Sequence, residues 1–263
     1  MNKTFLYKDM EVFYTESGSP GKPAVVFLHP AFADHTMFKH QIAYFEKNYY
    51  VITVDMVAHG KSQPRKARVA MSDMPEIIAG ILDASGIVKA HLAGVSLGSI
   101  VAQAVASVYP ERTASVTIVG GYSIHKDNKH IQQAQRKEIL RWVFMMLTSM
   151  KKFKAHVVDT VIYSQESREL FVQAISGFSR RSFMYMGGME RFFTDIAAPV
   201  SYPLLILCGE HDTPLALEAG NRLAALEPGS RFVVIKDAGH CANIDNPDVF
   251  NPELETFIKG IDR

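Results

Sequence analysis

Short apolar runs alternate along this chain with longer segments whose apolar residues recur at helical spacing. A strand buried on both faces reads as a continuous apolar run, and helices between such runs indicate parallel pairing. The runs that fit this description are 24–28, 50–54, 90–93, 115–119, 204–208 and 231–235. They predict an α/β fold with a mostly parallel central sheet and helices on both faces. Two β-prone runs near the start, 5–7 and 11–15, predict an antiparallel hairpin.

Helices are predicted between these strands. One is expected to begin at Asp73, a capping residue with Glu76 three positions later, and to end at Gly86. The others are expected near 36–46, 97–108, 215–226 and 247–261.

The alternation of strands and helices stops between residues 122 and 199. This stretch has no convincing strand, but it has several helical segments, including 131–150 and 166–178. We therefore expect an α/β core formed by 1–121 and 200–263, with 122–199 as an inserted helical cap.

Composition limits the class of protein without naming a partner. The chain has 263 residues, of which 48% are hydrophobic and 21% charged, and this is typical of one globular domain with a modest insertion. Its 28 Lys and Arg against 27 Asp and Glu leave a net charge of +1, so no nucleic-acid partner is indicated. The segment 122–200 has 12 basic and 7 acidic residues, but a solvated helix face such as 151–154 explains that excess more simply than an anionic substrate does.

Several features concern the compartment. No run of about 18 apolar residues occurs, so we expect no membrane insertion. The first residues pass directly into a strand pattern, without the layout of a signal peptide. The two cysteines, Cys208 and Cys241, have neither zinc-site spacing nor the number that a disulfide scaffold needs. We therefore expect a cytoplasmic protein in a reducing compartment, with no metal and no cofactor.

The pentapeptide Gly94-Val95-Ser96-Leu97-Gly98 carries the candidate nucleophile. The bare Gly-x-Ser-x-Gly pattern is weak and also fits a harmless glycine-rich turn. Here it follows an apolar strand and opens a helix, which is the setting that a strained, exposed nucleophilic serine requires. The setting favours Ser96 as the nucleophile.

A serine hydroxyl needs a base, and the base needs an orienting acid. Asp212 follows the strand 204–208 and precedes a helix start, so we expect it to be the acid, with Glu210 as its rival. His240 follows the next strand and is the expected base. Gly239 suits the tight turn that would direct the imidazole inward.

The order Ser96, Asp212, His240, each after a successive late strand, resembles the α/β-hydrolase superfamily over nearly the whole chain. The segment 55–62 is similar to the family's Asp-x-x-Gly-His-Gly-x-Ser loop, and the resemblance implies that His59 belongs to a structural turn. A serine at the nucleophile position argues against the haloalkane dehalogenases and epoxide hydrolases, which have Asp there.

Acyl transfer also requires donors for the oxyanion, usually two backbone N–H groups. One is expected from Leu97 at the helix start. The segment 29–32 resembles the family's His-Gly-x segment, and the resemblance implies Ala31 as the second donor. The chain departs from the family pattern at Pro30, which replaces Gly, and at Ser99, whose hydroxyl can bond back within the helix.

The substrate pocket is less specified by the sequence. Phe32, Trp142 and Met145 are the expected substrate contacts, although Phe32 suits packing almost as well. Six methionines of the insertion suit either an adaptable pocket or the packing of the insertion on the core. They are Met145, Met146, Met150, Met184, Met186 and Met189.

The sequence thus predicts a cofactor-independent serine hydrolase acting on a small or medium carboxylic ester, lactone or thioester. Two alternatives use the same three residues: hydrolysis of a carbon–carbon bond in a diketone-like ring-cleavage product, and perhydrolysis of the haloperoxidase-like kind. A third alternative is a non-catalytic ligand sensor that retains the pocket. Fold does not decide among these functions.

Overall fold

A computed structural model describes residues 1–64, 69–126, 129–194, 196 and 198–262. Within these residues, eight strands form one sheet in the order β1-β2-β4-β3-β5-β6-β7-β8. β2 pairs antiparallel with β1 and with β4, and the other neighbours are parallel. The strands are β1 (Asn2–Tyr7), β2 (Met10–Ser17), β3 (Ala24–Leu28), β4 (Tyr50–Val54), β5 (Ala90–Val95), β6 (Thr113–Val119), β7 (Leu204–Gly209) and β8 (Arg231–Ile235).

Helices cover both faces of this sheet. Because β3, β4, β5 and β7 are buried along their whole length, their side chains meet helices on either side. Helices α2, α3 and α8 pack on one face, and α1 and α10 pack on the other. The predicted fold class is confirmed. The core helices are α1 (Lys39–Phe45), α2 (Met74–Ala84), α3 (Leu97–Val108), α8 (Pro214–Leu226), α9 (Ala242–Asp245) and α10 (Pro247–Ile261).

The start of α2 differs from the capping prediction. A short 3-10 turn at Met71–Asp73 precedes the helix, and the Asp73 side chain makes no capping bond to it. Instead, Asp73 Oδ2 accepts from the N–H of Ala70 at 2.9 Å, while Glu76 accepts from the hydroxyl of Tyr7 at 2.5 Å. Asp73 therefore closes the 3-10 turn before the helix, and Glu76 joins α2 to β1. The predicted helix end is confirmed, because Gly86 lies in the left-handed region with φ +68.

Between β6 and β7 the described chain forms four helices. They are α4 (Lys129–Thr148), α5 (Met150–Val161), α6 (Gln165–Ile175) and α7 (Arg180–Met184). The predicted helices 131–150 and 166–178 correspond to α4 and α6, whereas α5 and α7 were not singled out. No helix among the described residues is long and apolar enough to cross a bilayer.

The two ends of this helical segment are joined to each other. The N–H of Thr194 donates to the carbonyl of Ile124, and the N–H of Ile196 donates to the carbonyl of His125, both at 2.8 Å. The buried ammonium of Lys126 forms an ion pair with the buried Glu227 on the body of the protein at 3.2 Å. The segment therefore leaves and re-enters the core at one anchored point.

Candidate active site

Ser96 lies in a sharp turn between β5 and α3. Its backbone is in a region that L-residues rarely adopt, with φ 51 and ψ −111. The turn is tight enough that a Cβ on Gly94 would lie 2.2 Å from the backbone of Gly98, and a Cβ on Gly98 would lie 2.1 Å from the carbonyl oxygen of Leu28. The two glycines of the pentapeptide are therefore required sterically. Such strain is a feature of functional turns.

His240 and Asp212 form a buried hydrogen-bonded pair. His240 Nδ1 lies 2.8 Å from Asp212 Oδ1, and the same carboxylate oxygen accepts from the N–H of Thr213 at 2.6 Å. Burial alone would lower the pKa of His240, but the negative charge of Asp212 and its hydrogen bond outweigh burial and raise this pKa above the ordinary value. The pair thus holds an imidazole that accepts a proton more readily than a free one.

The rival carboxylate lies elsewhere. Glu210 is exposed, and its side chain accepts from the backbone N–H of Asp237 at 3.1 Å. Asp237, near the start of this turn, adopts the left-handed conformation, with φ 52. The lack of a side chain at Gly239 leaves room in the turn, because a Cβ there would lie 3.2 Å from Tyr163.

Ser96 and His240 line the same cavity, which has a volume of about 1040 Å³. Gly120, directly after β6, lies against the histidine and its acid. A Cβ on Gly120 would be 2.8 Å from His240 Nδ1 and 3.0 Å from Asp212 Oδ2. The loops after β5, β6, β7 and β8 thus converge at the carboxyl edge of the sheet, where ligands bind in open α/β folds.

The expected oxyanion donors, Ala31 and Leu97, both line this cavity. The loop that carries Ala31 is fixed by His29, which is fully buried. His29 Nε2 accepts from the N–H of Met56 at 3.0 Å, so its Nδ1–H donates to the carbonyl of Pro30 at 2.8 Å. Burial lowers the pKa of His29, which keeps the ring neutral for both bonds. Pro30 is therefore compatible with an ordered loop.

Ser99, the second departure from the family pattern, has a local role. Its hydroxyl donates to the carbonyl of Ser96 at 2.6 Å, which is the back-bond that the sequence allowed. This bond gives the carbonyl oxygen of Ser96 a side-chain donor within the strained turn.

His59 occupies a buried turn, as its motif implied. Its Nδ1 bonds to the carbonyl of Val57 at 2.9 Å, and burial lowers its pKa to about 3, so the ring is neutral. Asp55 supports the same segment by accepting from the backbone N–H groups of His35 and Lys61, each at 2.8 Å.

Two of the three expected substrate contacts line the cavity. Phe32 and Trp142 meet edge to face with ring centroids 5.2 Å apart, and both contribute to the wall. Met145 is not among the residues that line the cavity. It lies in the last turn of α4, partly buried against the cluster that contains Phe153. Among the other methionines of the insertion, Met146 is buried in the core. Those that do line the cavity are Met184, Met186 and Met189.

Sequence reasoning missed a polar group on the wall of the cavity. His156 of α5 and Glu138 of α4 both line it, with His156 Nε2 3.3 Å from Glu138 Oε1. Their proximity depends on how α4 and α5 pack, which no local pattern encodes. Gly120 was also missed, although its position directly after a buried strand was a usable signal.

Among the described residues, two groups of side chains have the donor types that metals use. One contains Asp34, His35 and Asp55, and the other is exposed and contains Glu210, His211 and Asp237. The Asp55 carboxylate is engaged by His35 and by the backbone, and neither group lines the cavity.

A sequence model of the alpha/beta hydrolase fold matches residues 23–173, which is more than half of the chain. The chain belongs to the α/β hydrolase fold family. Together with the relatives described next, this makes it an enzyme of the hydrolase class.

Similar proteins span nearly all of this α/β hydrolase. The 3-oxoadipate enol-lactonase 2 of Acinetobacter baylyi is 25% identical over 261 residues, which cover 97% of this chain and 96% of that protein. A 2-hydroxy-6-oxononadienedioate/2-hydroxy-6-oxononatrienedioate hydrolase of Paraburkholderia phymatum is 25% identical over 272 residues, covering 95% of this chain and 91% of that protein. A solved thermophilic esterase from Thermogutta terrifontis has a TM-score of 0.82 at 21% identity, with 99% of each chain covered. This last likeness shows the fold.

Proposed function

We propose that this α/β hydrolase cleaves a small or medium carboxylic ester, lactone or thioester through an acyl-enzyme on Ser96. The observation that carries the proposal is the buried His240–Asp212 pair, which shares one cavity with a serine held in a strained turn. A base, its orienting acid and an exposed hydroxyl are the groups that nucleophilic acyl transfer requires.

In the proposed reaction, Ser96 Oγ attacks the carbonyl carbon while His240 Nε2 takes the hydroxyl proton. The Nδ1–H of His240 donates to Asp212 Oδ1 at 2.8 Å, which fixes the tautomer that leaves Nε2 free to accept. The imidazolium then gives its proton to the departing alkoxide. A water molecule repeats the sequence on the acyl-enzyme, so that the acid is released and Ser96 is restored.

The tetrahedral intermediates carry a negative oxygen, for which we assign the backbone N–H groups of Ala31 and Leu97. Leu97 is the first residue of α3, where the N–H groups have no partner within the helix and the helix dipole favours negative charge. The bonds of His29 hold the loop of Ala31 in place before the substrate arrives, which is what electrostatic preorganisation requires.

Residues 122–199 are proposed to act as a cap over this site. Trp142, His156, Phe183 and Met184 of its helices line the cavity opposite Ser96 and Leu97. Most of the wall is apolar, so the acyl or alcohol group of the substrate is expected to be apolar next to the reacting carbonyl.

A second candidate is hydrolysis of a carbon–carbon bond next to a ketone, and it is favoured by the relative from Paraburkholderia phymatum that matches 95% of the chain. A panel of esters, lactones, thioesters and vinylogous diketones separates the two reactions. The ester proposal expects turnover of the oxygen esters to exceed that of the diketones, and the opposite order would favour the second candidate.

The test of the nucleophile is covalent labelling. A fluorophosphonate probe should add once to the wild type and should not add to Ser96→Ala, which should also lose hydrolysis of p-nitrophenyl acetate. Ser99→Ala is the matched control, because its serine lies three residues away, and it should still be labelled. An adduct that persists in Ser96→Ala, or ligand binding without turnover in the wild type, would contradict the proposal.

A further inference from the structure

Three large apolar side chains project into solvent from one side of α4. Leu140, Phe144 and Leu147 are 71%, 68% and 70% exposed. Their spacing of four and then three residues places them one above the other on the helix surface. We call them the α4 ridge. Single exposed apolar residues are ordinary, but a contiguous row of them marks an interaction surface.

Basic residues flank the α4 ridge along the chain. Residues 129–161 contain seven Lys and Arg against two acidic residues, a net of +5 in a chain whose total is +1. Of the two acids, Glu138 pairs with His156 and, at 3.9 Å, with Arg141, and Asp159 pairs with Arg168. The basic residues that are exposed next to the ridge or directly after α4 are Arg136, Lys137, Arg141, Lys151 and Lys152.

We propose that the α4 ridge and its basic border dock this protein on an anionic lipid surface. An apolar row bordered by Lys and Arg is the composition of a helix that lies in the plane of a membrane interface, with the apolar side chains among the acyl chains and the basic ones among the headgroups. A second copy of the chain suits the face less well. In a twofold pair made through this helix, the basic border of each copy would face that of the other.

The ridge is also continuous with the mouth of the cavity. Ile139 and Met184 are exposed, and both line the cavity that holds Ser96. When the ridge is seated on lipid, an apolar chain can pass into the cavity without crossing water. The substrate class then becomes lipophilic esters that partition into the lipid layer. This last step rests on the proposed hydrolysis, whereas the docking itself does not.

The binding test is sedimentation of the whole protein with vesicles. We expect binding to vesicles of phosphatidylcholine with 30% phosphatidylglycerol, little binding to phosphatidylcholine alone, and loss of binding as salt rises, because headgroup attraction is screened. The double variant Phe144→Ser/Leu147→Ser should weaken partitioning at least tenfold, since two exposed apolar side chains are removed. Lys151→Gln and Lys152→Gln should each weaken it roughly fivefold.

The matched control is Val88→Ser. Val88 is 80% exposed but precedes β5, at the edge of the sheet opposite Ser96, so its replacement should leave binding unchanged. Ser96→Ala should bind as well as the wild type, which keeps failure of docking distinct from failure of the proposed reaction. Equal binding to neutral vesicles, no binding, or a dimer in solution that Phe144→Ser/Leu147→Ser dissociates would each overturn the proposal.

Discussion

Gly120 is the position where the smallest change should disturb the site most. Its backbone is left-handed, with φ +58, and an added Cβ would lie 2.8 Å from His240 Nδ1 and 3.0 Å from Asp212 Oδ2. Gly120→Ala therefore has two separable effects. One is backbone strain, and the other is a direct collision with the histidine–aspartate pair.

The two effects have different magnitudes and different readouts. A left-handed alanine costs about 1–2 kcal/mol of folding free energy. The collision requires the imidazole to retreat by roughly 0.7 Å to reach an ordinary van der Waals separation of about 3.5 Å. Because a displacement of about 1 Å in an active site costs on the order of a hundredfold in rate, we expect kcat to fall about tenfold. KM should change less than kcat, since the atoms nearest to the added Cβ belong to His240 and Asp212.

Gly86→Ala is the control that isolates the collision. Gly86 is also left-handed, with φ +68, but an added Cβ there meets nothing within 4 Å. It should therefore show the same backbone cost in urea denaturation with an unchanged kcat. The assay is steady-state hydrolysis of a p-nitrophenyl ester by the two variants and the wild type. A normal kcat in Gly120→Ala, or an equal fall in both variants, would refute the reasoning.

Three further predictions concern carboxylates. Asp212→Asn should lower kcat by about four orders of magnitude. It should also move the acid limb of the kcat/KM pH profile to lower pH, because the negative charge of Asp212 raises the pKa of His240. An acid limb that does not move would show that Asp212 is not the partner of the base. The pKa of Asp55 is lowered, since its partner His35 and its hydrogen bonds outweigh the effect of burial. The ionised Asp55 therefore stabilises the folded protein above about pH 4, and this contribution is lost as pH falls through the lowered pKa. Asp55→Asn should lower the free energy of unfolding, measured by urea denaturation at pH 7, by about 2 kcal/mol. The difference between variant and wild type should narrow below about pH 4. Asp245→Ala should lower both stability, by about 2–4 kcal/mol, and kcat, because three backbone N–H groups lose their acceptor; a stable variant with full activity would contradict this.

The parts of the site that the sequence predicted are those that local sterics and strand order determine. Gly94 and Gly98 are needed by the turn of Ser96 alone, so their pattern is visible in five residues. Asp212 and His240 were found because the carboxyl ends of neighbouring parallel strands meet at one edge, whatever the details of packing. Only the family resemblance indicated that the loop of Pro30 and Ala31 supplies an oxyanion donor. The hydrogen bonds of the buried His29 explain why this loop is ordered.

What escaped prediction depends on contacts between distant segments. Met145 and Trp142 are three residues apart on one helix, yet only Trp142 lines the cavity, and Met145 packs against the buried cluster that contains Phe153. The Asp73 pattern matched a cap of the long helix, but Asp73 bonds to the short 3-10 turn before it, and Glu76 bonds to Tyr7 of β1. Helix propensity and capping rules are weak priors that packing overrides.

One carboxylate, that of Asp245, bonds both to the helical segment 122–199 and to the loop that carries His240. Asp245 accepts the N–H groups of Tyr163 and Ser164, between α5 and α6, and also that of Gly239, next to His240, at 2.9–3.0 Å. The N–H of Cys241 donates to the carbonyl of Val161 at 3.2 Å, on the same seam. The segment between α5 and α6 is thus bonded to the loop that carries His240. A change in how α5 and α6 pack is therefore expected to move the imidazole as well as to reshape the cavity. Substitutions at this seam should therefore change kcat and substrate preference together, whereas those on the exposed side of α4 should leave kcat for small soluble esters unchanged.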